Sequence, residues 1–223
     1  MRFIIVLILP FLFSFSFTPM TQTIDLSKSN KGQFQIQNPT DQAIPILLKA
    51  KERIQLADGT EKLPDTKLIN IFPPQIIVPP KDKRTIKVSW TGNEKISAEK
   101  SFRVIAEQVP LNVGEKKESG IKMLLKYQAA LYVDNGKTKS DLKLKDFKQN
   151  KKLTIVLENV GNKHKYLKNL KIYFKKKNKT LELPLEELKT LEGQNILAKT
   201  LRKFKFTPIK GLDSSYKGYI TFE

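Results

Sequence analysis

The sequence contains one histidine and no cysteine, the two residue types on which most metal sites and nucleophilic active sites depend. His164 lies in the lysine-flanked run 161–165, which predicts an exposed turn. Glu186 and Glu187 are adjacent, so their side chains do not converge on one substrate. Other carboxylates are scattered among basic residues and are expected to form ion pairs: Glu94, Glu99 and Glu107. We therefore expect a protein that is not an enzyme and that holds no metal or cofactor.

One stretch offers a different chemistry, which is main-chain hydrogen bonding to a partner. Residues 121–133, IKMLLKYQAALYV, place apolar side chains at every second position, as a strand with one apolar face does. Strands usually run about 5–6 residues, whereas this one would have 13 residues and reach about 40 Å. We expect its second half to complete a sandwich and its first half to run past it. An overhanging apolar edge is a template for β-augmentation. The alternative is that the whole strand is covered inside its own domain.

The rest of the chain must supply the sheets that hold this strand. Short β-forming runs recur between turn signals such as Asn38-Pro39 and Asp58-Gly59. Residues 184–194 predict a helix of one or two turns, ended by Gly193. Many short strands at a spacing of about 8–12 residues are typical of β-sandwiches. We predict an all-β fold of two immunoglobulin-like β-sandwich domains in tandem, residues 17–134 and 135–223, joined at the polar segment 134–140.

The first residues have the plan of a secretory signal peptide. Arg2 is followed by the apolar run 3–17, which is short for a membrane span of about 20 residues and contains Pro10. Small residues at Ser14 and Ser16 predict cleavage near Ser16, which makes residues 1–16 the signal peptide. The alternative is an uncleaved membrane anchor. A signal peptide predicts export to the periplasm.

Positive charge is concentrated in the second half of the chain. The net charge is +19, and residues 135–223 carry 22 Lys and Arg against 9 Asp and Glu. Such an excess occurs in proteins that bind anionic surfaces. The lysines, however, alternate with apolar residues, as in Leu142-Lys143-Leu144-Lys145 and Phe204-Lys205-Phe206, which is typical of the solvated face of a sheet. The run 175–179 predicts a hairpin tip.

The order of these motifs resembles one family, the PapD-like periplasmic chaperones that assemble pili with an outer-membrane usher. Segment 102–110 ends in Glu-Gln-Val-Pro just before the loop 111–120 and the long strand, as in that family. Other similar motifs are Phe34–Pro39, Phe72-Pro73-Pro74, Val78-Pro79-Pro80, Thr85–Trp90, Leu157–Asn162 and Gly193–Ala198 with Arg202. The resemblance covers the whole predicted mature chain, and the departure described next favours a divergent branch that resembles the archaic-type chaperones.

The chain departs from the family at one functional point. The resemblance implies that Ile121, Met123 and Leu125 fill the groove of a pilus subunit that lacks its last strand. Family members also hold the subunit's terminal carboxylate with an Arg in the first strand and a Lys late in the donor strand. Here those positions hold Met20 or Thr21 and Ala130. The nearest basic substitutes by sequence are Lys126 and Arg103.

The resemblance therefore implies a periplasmic chaperone that binds a pilin or other fibre subunit by donor-strand complementation and delivers it to an outer-membrane usher. It implies no cofactor, no nucleic acid, and contact with the membrane only through the usher. The alternative is an exported two-domain β-sandwich that acts as an adhesion or binding module. Its basic second domain would then recognise an anionic surface or a glycan.

Overall fold

The computed structural model describes residues 15–93, 95–110 and 124–222. The strands of the first domain are β1 (Ser16–Thr18), β2 (Thr21–Asp25), β3 (Lys31–Gln37), β4 (Ile44–Glu52), β5 (Ile54–Gln55), β6 (Glu61–Lys62), β7 (Ile69–Phe72), β8 (Gln75–Val78), β9 (Lys83–Trp90), β10 (Lys100–Gln108) and β11 (Lys126–Asp134). The second domain consists of β12 (Leu142–Gln149), β13 (Leu153–Asn159), β14 (Lys165–Tyr166), β15 (Leu170–Lys176), β16 (Lys179–Glu182), the helix α1 (Leu185–Lys189), β17 (Asn195–Ile196), β18 (Leu201–Phe206) and β19 (Lys217–Phe222).

The first domain is a sandwich of two sheets. One sheet has the strand order β1-β3-β9-β7 and the other β2-β11-β10-β4-β8. All pairs are antiparallel except β2 with β11, which is parallel. A small hairpin, β5–β6, follows β4. The strand predicted at 121–133 is thus a member of the second sheet, and the structure defines it over nine residues, Lys126–Asp134.

The second domain repeats the sandwich plan. Its larger sheets have the orders β12-β13-β18 and β16-β15-β19, and β14 pairs with β17 beside them. The hairpin predicted at 175–179 is confirmed, because β15 ends at Lys176 and β16 begins at Lys179. The short predicted helix is also confirmed as α1, and Gly193 beyond it has a positive φ of 78°. Among the described residues, no helix is long and apolar enough to cross a membrane.

Each sandwich has its own apolar core, because alternate side chains of every long strand point between its sheets. In β3, for example, Phe34 and Ile36 are buried whereas Gln35 is exposed. The described residues 135–141 belong to neither apolar cluster. Burial of each large apolar side chain contributes about 1.5–3 kcal/mol, which favours this alternation over any shifted register. The prediction of two β-sandwich domains is confirmed.

A buried asparagine fixes the end of the corresponding strand in each domain. Asn38 follows β3 and donates from Nδ2 to the carbonyl four residues further on, at 2.7 Å, and to two carbonyls of a distant segment. Asn159 ends β13 and makes the same set of contacts, again at 2.7 Å to the carbonyl four residues on. These side chains donate hydrogen bonds to buried main-chain carbonyls at the point where hydrogen bonding between the strands ends.

Candidate functional site

Half of β11 has an open edge. On one side β11 pairs with β10 from Lys126 to Val133. On the other side β2 pairs with it only from Ala130 to Asp134. No strand in the part of the chain that the structure describes pairs with residues 126–129 on that second side. This segment, which we call the open edge, presents main-chain donors and acceptors to any further strand.

The path of the N-terminal segment explains why the edge is open. β1 pairs with β3 in the opposite sheet, and the chain crosses between the sheets at Pro19 and Met20 before β2 begins. The Ala130 amide then donates to the Met20 carbonyl at 2.9 Å. Because alternate residues direct their main-chain groups to the same side, Lys126 and Gln128 direct theirs towards the open edge.

Exposed apolar side chains flank the open edge. Met20 is 48 % exposed and lies where β2 begins. Leu124 is 49 % exposed and lies two residues before the start of β11. Together with the unpaired main chain, these side chains favour a partner that is an extended, largely apolar strand.

The three predicted donor residues fall at the beginning of this strand. Ile121 and Met123 lie outside the described residues. Leu125 is half-buried and packs against the core of the first domain. Its carbonyl also accepts a hydrogen bond from the Gln108 amide at 2.9 Å. Leu125 therefore already belongs in part to its own domain, and its role as a donor residue stays a prediction.

The two faces of β11 have different neighbours. Ala129, Leu131 and Val133 are fully buried in the core of the first domain, as the alternation predicts. The opposite face carries Ala130 and Tyr132, which form a small apolar cluster with Leu197 of the second domain. This second face therefore forms one wall of the region where the two domains meet, which we call the cleft, and Ala130 and Tyr132 themselves are buried there.

A clamp of two arginines on one carboxylate lies on that wall. Arg103 faces Ala130 across the β10–β11 ladder. Its Nε and Nη2 donate to the two carboxylate oxygens of Glu61 at 2.9 and 2.7 Å. Arg53 donates to the same carboxylate from Nε, at 2.7 Å, and lies within 2.6 Å of it through Nη2. Bidentate contacts of this kind are the strongest form of ion pair.

The charge of Glu61 is held by this clamp. Burial, the largest single influence, raises the pKa of the Glu61 carboxyl, but the hydrogen bonds and charges of Arg103 and Arg53 together outweigh it and bring the pKa below the ordinary glutamate value. The side chains of Glu61 and Arg103 are 18 % and 20 % exposed, and that of Arg53 only 6 %. Arg103 is thus the more accessible of the two arginines.

The two basic residues predicted as carboxylate anchors occupy different surroundings. Lys126 is exposed and pairs only loosely with Glu107, at 3.8 Å. It lies on the same face as Ala130 but four residues away, which is about 13 Å along a strand. The structure therefore places Arg103, and not Lys126, directly beside Ala130.

Several residues of the cleft were not predicted. Tyr132 accepts hydrogen bonds from Arg53 Nη1 at 3.1 Å and from Asn195 Nδ2 at 2.7 Å. Burial raises the pKa of the Tyr132 hydroxyl to about 12, which keeps it neutral. Gln55 bridges to the second domain by donating to the Asn195 carbonyl and accepting from the Leu197 amide. The only available signal was the alternation of polar residues at positions 49, 51, 53 and 55.

The prediction that His164 lies in an exposed turn is wrong. Its side chain is 9 % exposed and stacks on Tyr132, with ring centroids 3.9 Å apart. Its Nδ1 lies 2.8 Å from an oxygen of Glu99, whose own side chain is 1 % exposed. Glu99 also accepts from the His164 amide at 3.1 Å. The turn is covered because it docks against the first domain, which local sequence does not indicate.

The arrangement is suited to binding an extended peptide. Across the described ranges no three or more His, Asp or Glu side chains group in a way that could hold a metal ion. What the cleft offers is an open strand edge, a bidentate cation beside it, and a junction fixed by hydrogen bonds. An extended peptide with a negative end fits these features.

Comparison with known proteins agrees on the fold. No family model matches the chain, and no curated protein matches it by sequence. Among solved structures, the class 5 fimbriae chaperone CfaA is similar with a TM-score of 0.62 and 17 % identity, over 94 % of this chain and 99 % of that one.

Two chaperone–subunit complexes contain similar chains. The CsuC–CsuE chaperone–tip adhesion subunit pre-assembly complex, from archaic chaperone–usher Csu pili of Acinetobacter baumannii, matches with a TM-score of 0.60 and 19 % identity, over 91 % of this chain and 94 % of that one. The complex of Salmonella enterica SafA pilin with the SafB chaperone matches with a TM-score of 0.53 and 13 % identity, over 86 % and 83 %. The chain therefore has the two-domain fold of the chaperone–usher pilus chaperones.

Proposed function

We propose that this protein is a periplasmic chaperone for a pilus or fibre subunit. It binds a subunit that lacks its last strand, completes the subunit's fold by donor-strand complementation, and delivers it to an outer-membrane usher. It uses no cofactor and catalyses no reaction. The proteins of similar fold are pilus chaperones, two of them in complexes with a subunit, which supports this assignment.

The open edge is the observation that carries the proposal. A strand of the subunit that adds beside residues 126–129 continues the sheet of the first domain, and main-chain hydrogen bonds supply affinity without regard to sequence. Side chains at alternate positions supply specificity by entering pockets of the subunit. We propose Ile121, Met123 and Leu125 for this role, with Met123 in the central pocket.

The subunit's terminal carboxylate requires a donor, because a partly buried and unpaired charge is costly. We propose that a basic residue in the cleft supplies it. Arg103 is favoured over Lys126 by its place beside Ala130 and by its bidentate pairing with a carboxylate, that of Glu61.

A pair of substitutions tests the donor strand. Met123→Glu should abolish recovery of subunit from the periplasm, since it removes an apolar side chain worth about 1.5–3 kcal/mol and adds the desolvation of a charge. The melting temperature should change little if Met123 lies beyond the chaperone's own core. Leu131→Glu is the matched control, because Leu131 is fully buried and its replacement should unfold the first domain.

Both quantities are measured for both variants: subunit recovery by co-purification and mass spectrometry, and melting by circular dichroism. Equal losses of melting temperature in the two variants would show that the strand is ordinary core throughout. That result would remove the main support for the chaperone function.

A further inference from the structure

The clamp on Glu61 holds more positive than negative charge, because two guanidinium groups share one carboxylate. In a partly buried site such an excess of positive charge is unfavourable unless an anion offsets it. A third arginine, Arg202, lies close enough for the charge of Arg53 to help lower its pKa, although burial is the larger cause. Arg202 is 8 % exposed, and its buried Nε has no hydrogen-bond partner among the described residues. Asp58 and Glu61 act on the pKa of Arg202 in the opposite direction, so three arginines face two carboxylates and the cluster remains positively charged.

The two arginines of the clamp are not equivalent. Arg53 is tied to the domain junction, since it also donates to the Tyr132 hydroxyl at 3.1 Å and to Asn195 Oδ1 at 3.2 Å. Arg103 donates only to Glu61 among the described residues. Arg53 therefore belongs to the fixed structure of the junction, whereas Arg103 can change its partner without breaking any other contact.

We propose that Glu61 is an internal competitor, which occupies on Arg103 the place that a subunit's terminal carboxylate takes in the complex. This inference rests on the proposed chaperone function. The incoming carboxylate takes over Nε and Nη2 of Arg103, which now donate to Glu61, and Glu61 stays paired with Arg53. No charge is left unpaired in the exchange, so its cost is low. Chains that end in an amide or that continue past the cleft do not take part in the exchange, so Glu61 lowers the affinity only for chains with a free C-terminal carboxylate.

Glu61→Gln tests the proposal, because it removes the competing charge and keeps the shape of the side chain. The probes are a short N-acetylated peptide of alternating valine and threonine with a free C-terminal carboxylate, and the same peptide as a C-terminal amide. We expect the variant to bind the carboxylate peptide roughly three- to tenfold more tightly than wild type, and the amide peptide equally. Calorimetry or fluorescence anisotropy on the full mature chain measures both affinities.

Glu107→Gln is the matched control. It removes a carboxylate from β10, the strand that carries Arg103, and changes the net charge equally, but the carboxylate it removes faces Lys126. The preference for carboxylate over amide should not change in this control. In the double variant Glu61→Gln with Arg103→Gln the preference should be lost, which ties the gain to Arg103. Melting temperatures verify that each variant is folded.

Three results would overturn the inference. A weaker preference in Glu61→Gln would mean that Glu61 orients Arg103 for binding and does not compete with the ligand. An unchanged preference would mean that Arg103 does not meet the carboxylate. An equal gain in Glu107→Gln would reduce the effect to overall charge. In all three cases peptide still binds, whereas failure of wild type to bind either peptide would overturn the proposed function itself.

Discussion

At the scale of single residues, the kind of contact that a side chain makes could be predicted from the sequence better than the residue it contacts. Glu94, Glu99 and Glu107 were expected to form ion pairs: Glu107 pairs with Lys126, Glu99 contacts the ring of His164, and Glu94 lies outside the described residues. His164 was predicted in an exposed turn. Its burial could not be predicted, because its partner Glu99 is 65 positions away and no local pattern connects the two residues. Arg103 was predicted as an anchor from its sequence position alone. Its pairing with Glu61 could not be predicted, since it depends on how the hairpin β5–β6 folds over β10.

Arg103→Ala should weaken subunit capture about tenfold or more, because a charge-assisted hydrogen bond is worth about 1.5–3 kcal/mol. The melting temperature should change little, since Glu61 keeps its pair with Arg53. Lys126→Ala is the comparison, and we expect a smaller loss from this exposed residue. Affinity for the co-purified subunit provides the measurement. Unchanged affinity in both variants would mean that main-chain groups alone hold the carboxylate.

At the scale of elements, the sequence predicted the orientation of β11 correctly, because one face of this strand is buried. The alternation over 125–133 correctly placed the core-facing side chains, because burial of one face penalises any other register. The predicted strand spans residues 121–133, whereas the described strand begins at Lys126; residues 124 and 125 lie outside it, and 121–123 lie outside the described residues. Where β2 begins to cover the edge of β11, at Ala130, depends on the crossing of the N-terminal segment between sheets and so on the whole sandwich.

The N-terminal strand β1 bears on where the predicted signal peptide ends. Phe15 precedes β1, is 2 % exposed, and lies edge-on to Tyr127 with ring centroids 4.9 Å apart. Its carbonyl accepts a hydrogen bond from the Tyr127 hydroxyl at 2.8 Å. Cleavage after Ser16 would remove these contacts at the base of the open edge.

We therefore expect the mature protein to retain Phe15, although the small residues at 14 and 16 favour cleavage near Ser16. Loss of a buried phenylalanine costs about 3–5 kcal/mol, a large fraction of the stability of a domain. The intact mass of protein purified from the periplasm identifies the first residue. A mature chain that starts at Phe17 and melts no lower than one that starts at Phe15 would contradict this expectation.

At the scale of the whole molecule, polar contacts across the junction fix how the two sandwiches meet. His164 and Glu99 form one contact, and Lys163 reaches Asp134 at 3.3 Å at the joint itself. On the other side of the junction, the Lys203 amide donates to the Ala57 carbonyl at 2.7 Å. Because contacts lie on both sides of the cleft, the wall that carries Arg103 keeps a fixed distance from the second domain.

His164→Ala should loosen this junction while both sandwiches stay folded. The substitution removes the ring that stacks on Tyr132 and leaves the buried Glu99 with one donor fewer, at a cost of about 1–3 kcal/mol. Small-angle scattering should show a wider spread of interdomain distances. Lys168→Ala, at an exposed position nearby, should leave the scattering unchanged. A variant that scatters like wild type would show that the other contacts, such as the hydrogen bond from the Lys203 amide to the Ala57 carbonyl, are enough to fix the two domains.

The charge of the second domain lies mostly on exposed sheet faces, as the alternation predicts. In β18 the lysines 203 and 205 are exposed between buried residues. Lys175 lies over the rings of Tyr173 and Tyr219, and Lys176 pairs with Asp213 at 3.4 Å. These contacts place the basic hairpin tip on the outer surface of the domain.

Replacing Lys175, Lys176 and Lys177 together with alanine should leave subunit capture intact, and capture by the wild type should depend only weakly on salt. The reason is that solvated surface charges are screened and contribute little. Co-purification across a salt series measures the effect, with Arg103→Ala as the variant expected to lose capture. A collapse of capture in the triple variant, with strong salt dependence in the wild type, would favour the anionic-surface or glycan alternative.

The open edge at residues 126–129 has a consequence for how much of this protein a cell can keep in reserve. An unpaired strand edge is compatible with a second copy of itself, because two such edges can pair in antiparallel fashion. Under the proposed chaperone function, molecules without a subunit would therefore compete for one another, and more so as their concentration rises. The supply of capture-ready chaperone then depends on the ratio in which chaperone and subunit are synthesised, and not on the amount of chaperone alone.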